Sequence, residues 1–198
     1  MKTEKPTTKI IAGKYKGKIL ELPSLDVTRS SKARLKESLF NVLQFDIIDK
    51  IFIESFAGSG SIGLEAISRG AKRAYFVELD RNSYQILLKN CKSVDMEKCQ
   101  TVQGNTFVQT PLFIDFLKNS KDEVILYVDP PFDYRDGMED IYEKSFTMIK
   151  NIEVDNIYMI IVEHVSSLEM PEVLGRFSLN KTKKFGKSAL SYYSYTQE

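Results

Sequence analysis

The stretch Ile51-Phe52-Ile53-Glu54-Ser55-Phe56-Ala57-Gly58-Ser59-Gly60-Ser61-Ile62-Gly63-Leu64 passes from a β-branched, aromatic run through three glycines into a helical pattern. Ile51–Ser55 reads as a strand and Ser61–Arg69 as a helix. Gly58 and Gly60 allow a tight turn whose N–H groups can approach a ligand without a Cβ in the way. Gly63 lets the helix pack closely on the strand. About twenty residues further on, Glu78 and Asp80 end a second strand-like run. A carboxylate accepts two hydrogen bonds from a vicinal diol, so Glu78 is expected on the ribose of an adenosine-type cofactor. On this motif alone a nicotinamide dehydrogenase fits equally well.

Working outward, strand patterns recur at Ala74–Glu78, Thr101–Gly104, Glu123–Asp129 and Ile157–Glu163. Helical patterns lie between them at Arg81–Val94, Thr106–Lys118 and Gly137–Lys150. Repeated βα units with apolar strands predict a doubly wound α/β sheet, its ligand crevice at the C-terminal strand ends. Upstream, Lys9–Gly13 and Lys18–Leu22 flank a turn and predict a hairpin, followed by a helix over Ser30–Gln44. Arg176–Lys183 and Ala189–Tyr195 predict two closing strands. Nothing splits the 198 residues, so one domain is expected, with 1–45 as an extension.

The fourth βα unit separates the two cofactor chemistries. Its strand delivers Asp129-Pro130-Pro131-Phe132 to the crevice. An exocyclic base amine is a poor nucleophile because its lone pair is delocalised into the ring. Two acceptors on its N–H bonds, the Asp129 carboxylate and the Pro130 carbonyl, favour the tetrahedral form that attacks a methyl sulfonium. The prolines add no N–H, so the segment offers acceptors alone. Phe132 can stack on an extruded base, a contact worth about 1–3 kcal/mol. These residues predict an S-adenosylmethionine-dependent amine methyltransferase, with catalysis largely by positioning and no metal. Asn105, after the third strand, either bonds the cofactor's adenine or caps the next helix.

Residues 1–36 hold ten basic and three acidic side chains, a net +7 against −6 for the remainder. Such an arm suits a polyanion, with Lys14, Lys16, Lys18, Arg29, Lys32, Arg34 and Lys36 as candidate phosphate contacts; a merely solvated lysine-rich terminus has the same composition. Lys183, Lys184 and Lys187 form a smaller cluster. Cys91 and Cys99 are too few for a disulfide framework, and a single histidine, His164, argues against a zinc site or hydrolase triad. No apolar run reaches the roughly 20 residues of a membrane span, and no secretory signal opens the chain, so a reduced cytoplasm is expected.

With both motifs in place, the chain resembles the RsmD family, which methylates N2 of a guanine in bacterial 16S ribosomal RNA. The likeness rests on Ile10–Lys18 for the opening hairpin, Arg34–Leu43 for the helix after it, Phe56–Ala66 for the cofactor turn and Val128–Phe132 for the catalytic segment. It implies a class I methyltransferase fold, with seven strands and an antiparallel last hairpin. It also implies a small-subunit substrate at or near full assembly; separately, a monomer is expected. By matching position, Glu54, Gly58, Gly60, Glu78 and Asn105 line the cofactor, with Phe56, Leu79, Thr106 and Asp129 beside them; Asp129 and Phe132 hold the guanine. Where the family has Arg-Pro-Thr, this chain has Arg29-Ser30-Ser31, keeping the base and a hydroxyl without the proline. Two other readings fit parts of the pattern: an N6-adenine methyltransferase on RNA or DNA, and a non-catalytic RNA-binding assembly factor.

Overall fold

Ile51, Ile53, Val124, Leu126 and Val128 bury on one face of a central sheet, and Phe52, Ile125 and Tyr127 on the other. Two buried faces are why these strands lack a polar alternation. The computed structural model describes residues 6–23, 29–131 and 140–196, with backbone alone for 29–32. In chain order the elements are β1 (Thr7–Lys9), β2 (Ile19–Glu21), α1 (Arg29–Val42), β3 (Ile51–Ser55), α2 (Ser61–Ser68), β4 (Arg73–Glu78) and α3 (Arg81–Val94). A 3₁₀ turn over Met96–Lys98 leads to β5 (Cys99–Gln103), α4 (Thr106–Leu117), β6 (Val124–Val128), α5 (Ile141–Lys150), β7 (Ile157–Val165), β8 (Val173–Leu174), β9 (Phe177–Phe185) and β10 (Ser188–Tyr195).

The main sheet runs β5-β4-β3-β6-β7-β10-β9-β8. The pairs from β5 to β7 are parallel, whereas β7–β10, β10–β9 and β8–β9 are antiparallel. The order reverses between β3 and β6, which places a topological switch point there. Helices α1, α2 and α3 bury Leu39, Phe40, Leu64, Ile67 and Leu87 on one face; α4 and α5 bury Ile114, Leu117, Met148 and Ile149 on the other. Each such side chain contributes roughly 1.5–3 kcal/mol on leaving water.

The expected seven strands are joined by the two-residue edge strand β8, too short to leave an alternating pattern. The hairpin also differs from expectation. Its strands pair Thr7–Lys9 with Ile19–Glu21, so residues 10–18 form a wider turn than the sequence suggests. That turn leaves the strand register to bond α2, where Lys14 N–H donates to Ser68 C=O at 2.8 Å. No helix among the described residues is long and apolar enough to cross a membrane.

Candidate active site

Parallel registry brings four strand ends to one edge. Ser55 pairs with Val77 on one side and Val128 on the other, and Glu78 pairs with Gln103. Hence the glycine turn, Glu78–Asp80, Gly104–Asn105 and Asp129–Pro131 share the crevice predicted from their spacing. Asp129 N–H donates to Ser55 C=O at 3.3 Å, closing β6 onto the start of the turn.

The turn is built from left-handed residues. Phe56, Gly58 and Gly60 have φ of 63°, 53° and 75°. A Cβ on Gly58 would meet nothing within 4 Å, so this backbone faces open space where a ligand can approach it. A Cβ on Gly63 would lie 2.4 Å from Phe76 Cε1, which bears out its expected role in packing helix on sheet. Phe56, a non-glycine residue at positive φ, stacks edge-on to Phe107 with centroids 5.7 Å apart. Strain of this kind gathers at functional sites.

Glu54 departs from its expected place in the lining. It is 4% exposed, and its Oε2 accepts the Gly63 N–H at 2.8 Å. Gly60, the α2 N-cap, makes no side-chain cap, so Glu54 serves the first-turn amides from beneath. Burial raises its carboxyl to about 8, against the pull of the Gly63 and Ile62 amides and with Asp129 adding to the rise. Folded Glu54 keeps a proton that the unfolded chain releases from 4.5 upward, so stability falls as pH rises from there to about 8. Glu54→Gln removes this contribution, about 1.4 kcal/mol per pH unit at its steepest. Denaturant midpoints between pH 5 and 8 are expected to separate the two proteins progressively, wild type losing ground as pH rises.

Glu78 holds the other flank. Its Oε2 accepts Gly58 N–H at 2.6 Å and its Oε1 accepts Asp80 N–H at 2.7 Å. Burial raises its carboxyl above the ordinary range, opposed by these amides. Each oxygen has a second lone pair, enough for a ribose diol. Leu79, beside it, is 58% exposed, an apolar surface at the crevice. Asn105 caps α4: its Oδ1 accepts Phe107 N–H at 2.9 Å, and the residue is exposed at the rim. Thr106 is buried. An open glycine backbone, a diol-ready carboxylate and an exposed leucine fit an adenosine-bearing cofactor.

Asp129 is half-buried at the end of β6, with Pro130 buried behind it. Phe132 lies outside the described residues. Beneath Asp129 sits a polar row: Tyr127 is buried and donates its hydroxyl to Glu163 Oε2. Burial, then the charges of Glu163 and Asp129, hold the Tyr127 phenol well above its usual range. His164 is buried, its ring bonded to Val165 C=O and Ser191 Oγ at 2.9 and 2.8 Å, a structural placement.

Among the candidate phosphate contacts, Lys14, Lys16, Lys18 and Arg34 are exposed. Arg29 and Lys32 lie in α1, where backbone alone is described. Lys36 must be removed from the set. It is 4% exposed, donates to Lys9 C=O at 2.8 Å and pairs with Glu65 at 3.4 Å. Its spacing on the helix put it with the apolar residues Leu35 and Leu39, a signal outweighed by its charge. Sequence reasoning also missed Glu65 and Asn90. Glu65 is fully buried and accepts Ile11 N–H at 2.7 Å and Ala12 N–H at 3.0 Å, tying the hairpin to α2. Cys91 at the end of α3 and Cys99 at the start of β5 meet in the core. The Cys99 thiol and burial push the Cys91 thiol up.

The geometry has close counterparts. A family described as conserved hypothetical protein 95 matches residues 8–194. The Escherichia coli K12 protein named ribosomal RNA small subunit methyltransferase D is 32% identical over 187 residues, covering 93% of this chain and 88% of that protein. The solved E. coli protein yhhF superposes with a TM-score of 0.72 at 30% identity, covering 98% of this chain and 100% of that one. An RNA methyltransferase from Salinibacter ruber, solved with S-adenosyl-L-homocysteine, gives 0.57 over 88% of this chain and 95% of that one. At 13% identity it shows a shared fold, that of class I methyltransferases.

Proposed function

The chain belongs to the family described as conserved hypothetical protein 95, the RsmD family, and from that premise we propose that it methylates the exocyclic N2 amine of one guanine in 16S ribosomal RNA. The observation that carries this reading is Asp129-Pro130 at the end of β6, its backbone bonded to Ser55 where the glycine turn begins. S-adenosylmethionine, when bound, supplies a methyl group on a positively charged sulfur. Gly58 gives it backbone room, Gly60 packs the turn closely on Leu87 and Phe76, Glu78 takes the ribose hydroxyls, and Leu79, Asn105 and Thr106 border the adenine. Phe56 shapes the turn, and Glu54 holds the turn to α2.

Asp129 and the Pro130 carbonyl each accept one N–H of the guanine amine, drawing its lone pair out of the ring and toward the sulfur-borne carbon. Phe132 stacks on the base. The proton shed by the alkylated nitrogen passes along the Asp129 hydrogen bond to water. The substrate is the small subunit or its late assembly intermediate, met by a monomer in the cytoplasm.

Incubation with methyl-labelled S-adenosylmethionine and unmethylated small subunits is expected to place label in RNA. Label confined to protein, or absent, would refute the reading. Lys14, Lys16, Lys18 and Arg34, with Arg29 and Lys32 of α1, grip phosphates. Reversing the charge of Lys14, Lys16 and Lys18 together is expected to make the negative slope of log affinity against log salt shallower by about 2–3. Lys36→Met leaves that slope unchanged because Lys36 is buried. Filter binding between low and moderate salt reads both.

A further inference from the structure

Asn90 lies on α3, outside every motif, and is 2% exposed. Its carboxamide serves two separate backbones. Oδ1 accepts Glu21 N–H at 3.0 Å, and Nδ2 donates to Glu21 C=O at 2.9 Å and to Ser59 C=O at 2.9 Å. Glu21 ends β2 of the basic hairpin, and Ser59 lies between Gly58 and Gly60 of the turn. One side chain therefore clamps the hairpin, 69 positions away, to the turn, 31 positions away.

The surroundings make this a joint rather than a patch of filler. One turn before Asn90, Leu87 packs against the same loop: a Cβ on Gly60 would fall 2.4 Å from Leu87 Cδ1. Beside it, Lys89 pairs with the Glu21 carboxylate. On the far flank the loop is held by Glu78 through Gly58 N–H. Ser59 is 6% exposed, so its carbonyl has little access to water and depends on Asn90. A shift of β2 moves the carboxamide, and the carboxamide moves the peptide that leads into Gly60. Neither hydrogen-bonding end can be kept by an apolar residue, and an aspartate could keep one end alone.

We infer that Asn90 is a positioning residue that couples the seating of the basic hairpin to the shape of the cofactor turn, so that ligands at the two places sense one another. The inference rests on the turn being the cofactor site. By thermodynamic reciprocity, whatever fixes the hairpin strengthens cofactor binding, and cofactor binding steadies the hairpin to the same degree.

Hydrogen–deuterium exchange with S-adenosylhomocysteine as probe tests this on the intact chain without RNA. Saturating probe is expected to slow exchange of the amides between Ile10 and Leu22 on the order of fivefold or more in wild type. In Asn90→Ala and Asn90→Asp the probe still slows exchange in the turn but no longer in the hairpin. Asp keeps the acceptor for Glu21 N–H and loses the donor to both Glu21 C=O and Ser59 C=O, so the hairpin retains one of its two bonds to α3 while the bond to the turn is gone. If Asn90 only stabilised the fold, both variants would melt earlier yet keep the hairpin response, and that result overturns the inference. So does a wild-type hairpin indifferent to bound probe, a measurement that needs no variant. Calorimetry showing no binding of the probe to wild type would instead bring down the cofactor reading, and this inference with it.

Discussion

Asp129→Ala is expected to lower the single-turnover rate of methyl transfer about a thousandfold or more, some 4 kcal/mol of barrier. Affinity for S-adenosylhomocysteine should stay within a few-fold. The split follows from the geometry. The ribose end of the crevice is held by Glu78 and the glycine turn, each with its own backbone bonds. Asp129 follows β6, tied to the turn through its backbone N–H to Ser55, and in the proposed mechanism its carboxylate takes the N–H of the incoming amine. Asn at this position keeps one acceptor oxygen and loses the charge, so Asp129→Asn should fall between. A rate loss matched by an equal loss of cofactor affinity would mean that the carboxylate holds the cofactor rather than the base.

Glu65→Ala is expected to cost about 3–5 kcal/mol of stability, measured by denaturant unfolding. The carboxylate is fully buried and serves four donors. They are the amides of Ile11 and Ala12, the Arg69 guanidinium at 2.8 Å and the Lys36 ammonium at 3.4 Å. Its removal leaves Lys36 as a buried cation whose remaining partner is the Lys9 carbonyl. Burial already draws the Lys36 ammonium below its ordinary range, with Glu65 opposing that shift. Glu65→Gln, which keeps an acceptor for one amide, should cost less. A loss under about 1 kcal/mol for the alanine variant would mean that the hairpin is not seated through this residue.

These two residues differ in how openly the sequence shows them. Asp129 was legible because its neighbours constrain it: two prolines remove donors, and an apolar strand delivers it to a crevice defined by the glycine turn. The βα units were legible for the same reason. Arg81–Val94 was expected and found with the same ends, Asp80 capping Ser83 N–H at 2.8 Å. Glu65 and Asn90 look like ordinary helix-surface residues, and their backbone partners lie more than thirty positions away. No local pattern encodes a long-range bond between a side chain and a peptide. Lys36 shows the converse error, in which a basic residue in a basic segment was counted as surface although its helix face was apolar. Glu54 stands at the expected sheet edge, buried beneath the turn and bonded to Gly63 N–H. An acid at a strand end reads as a ligand contact until the uncapped start of α2 is seen above it.

In the proposed mechanism two oxygen acceptors, from Asp129 and Pro130, select an NH₂ group. Nucleoside mass spectrometry of 16S RNA, after reaction of unmethylated small subunits with this protein and S-adenosylmethionine, tests that most directly. N2-methylguanosine is expected, at one site per subunit. A methyl group on a ring nitrogen, a ring carbon or a ribose oxygen, where there is no pair of N–H bonds to accept, would contradict it.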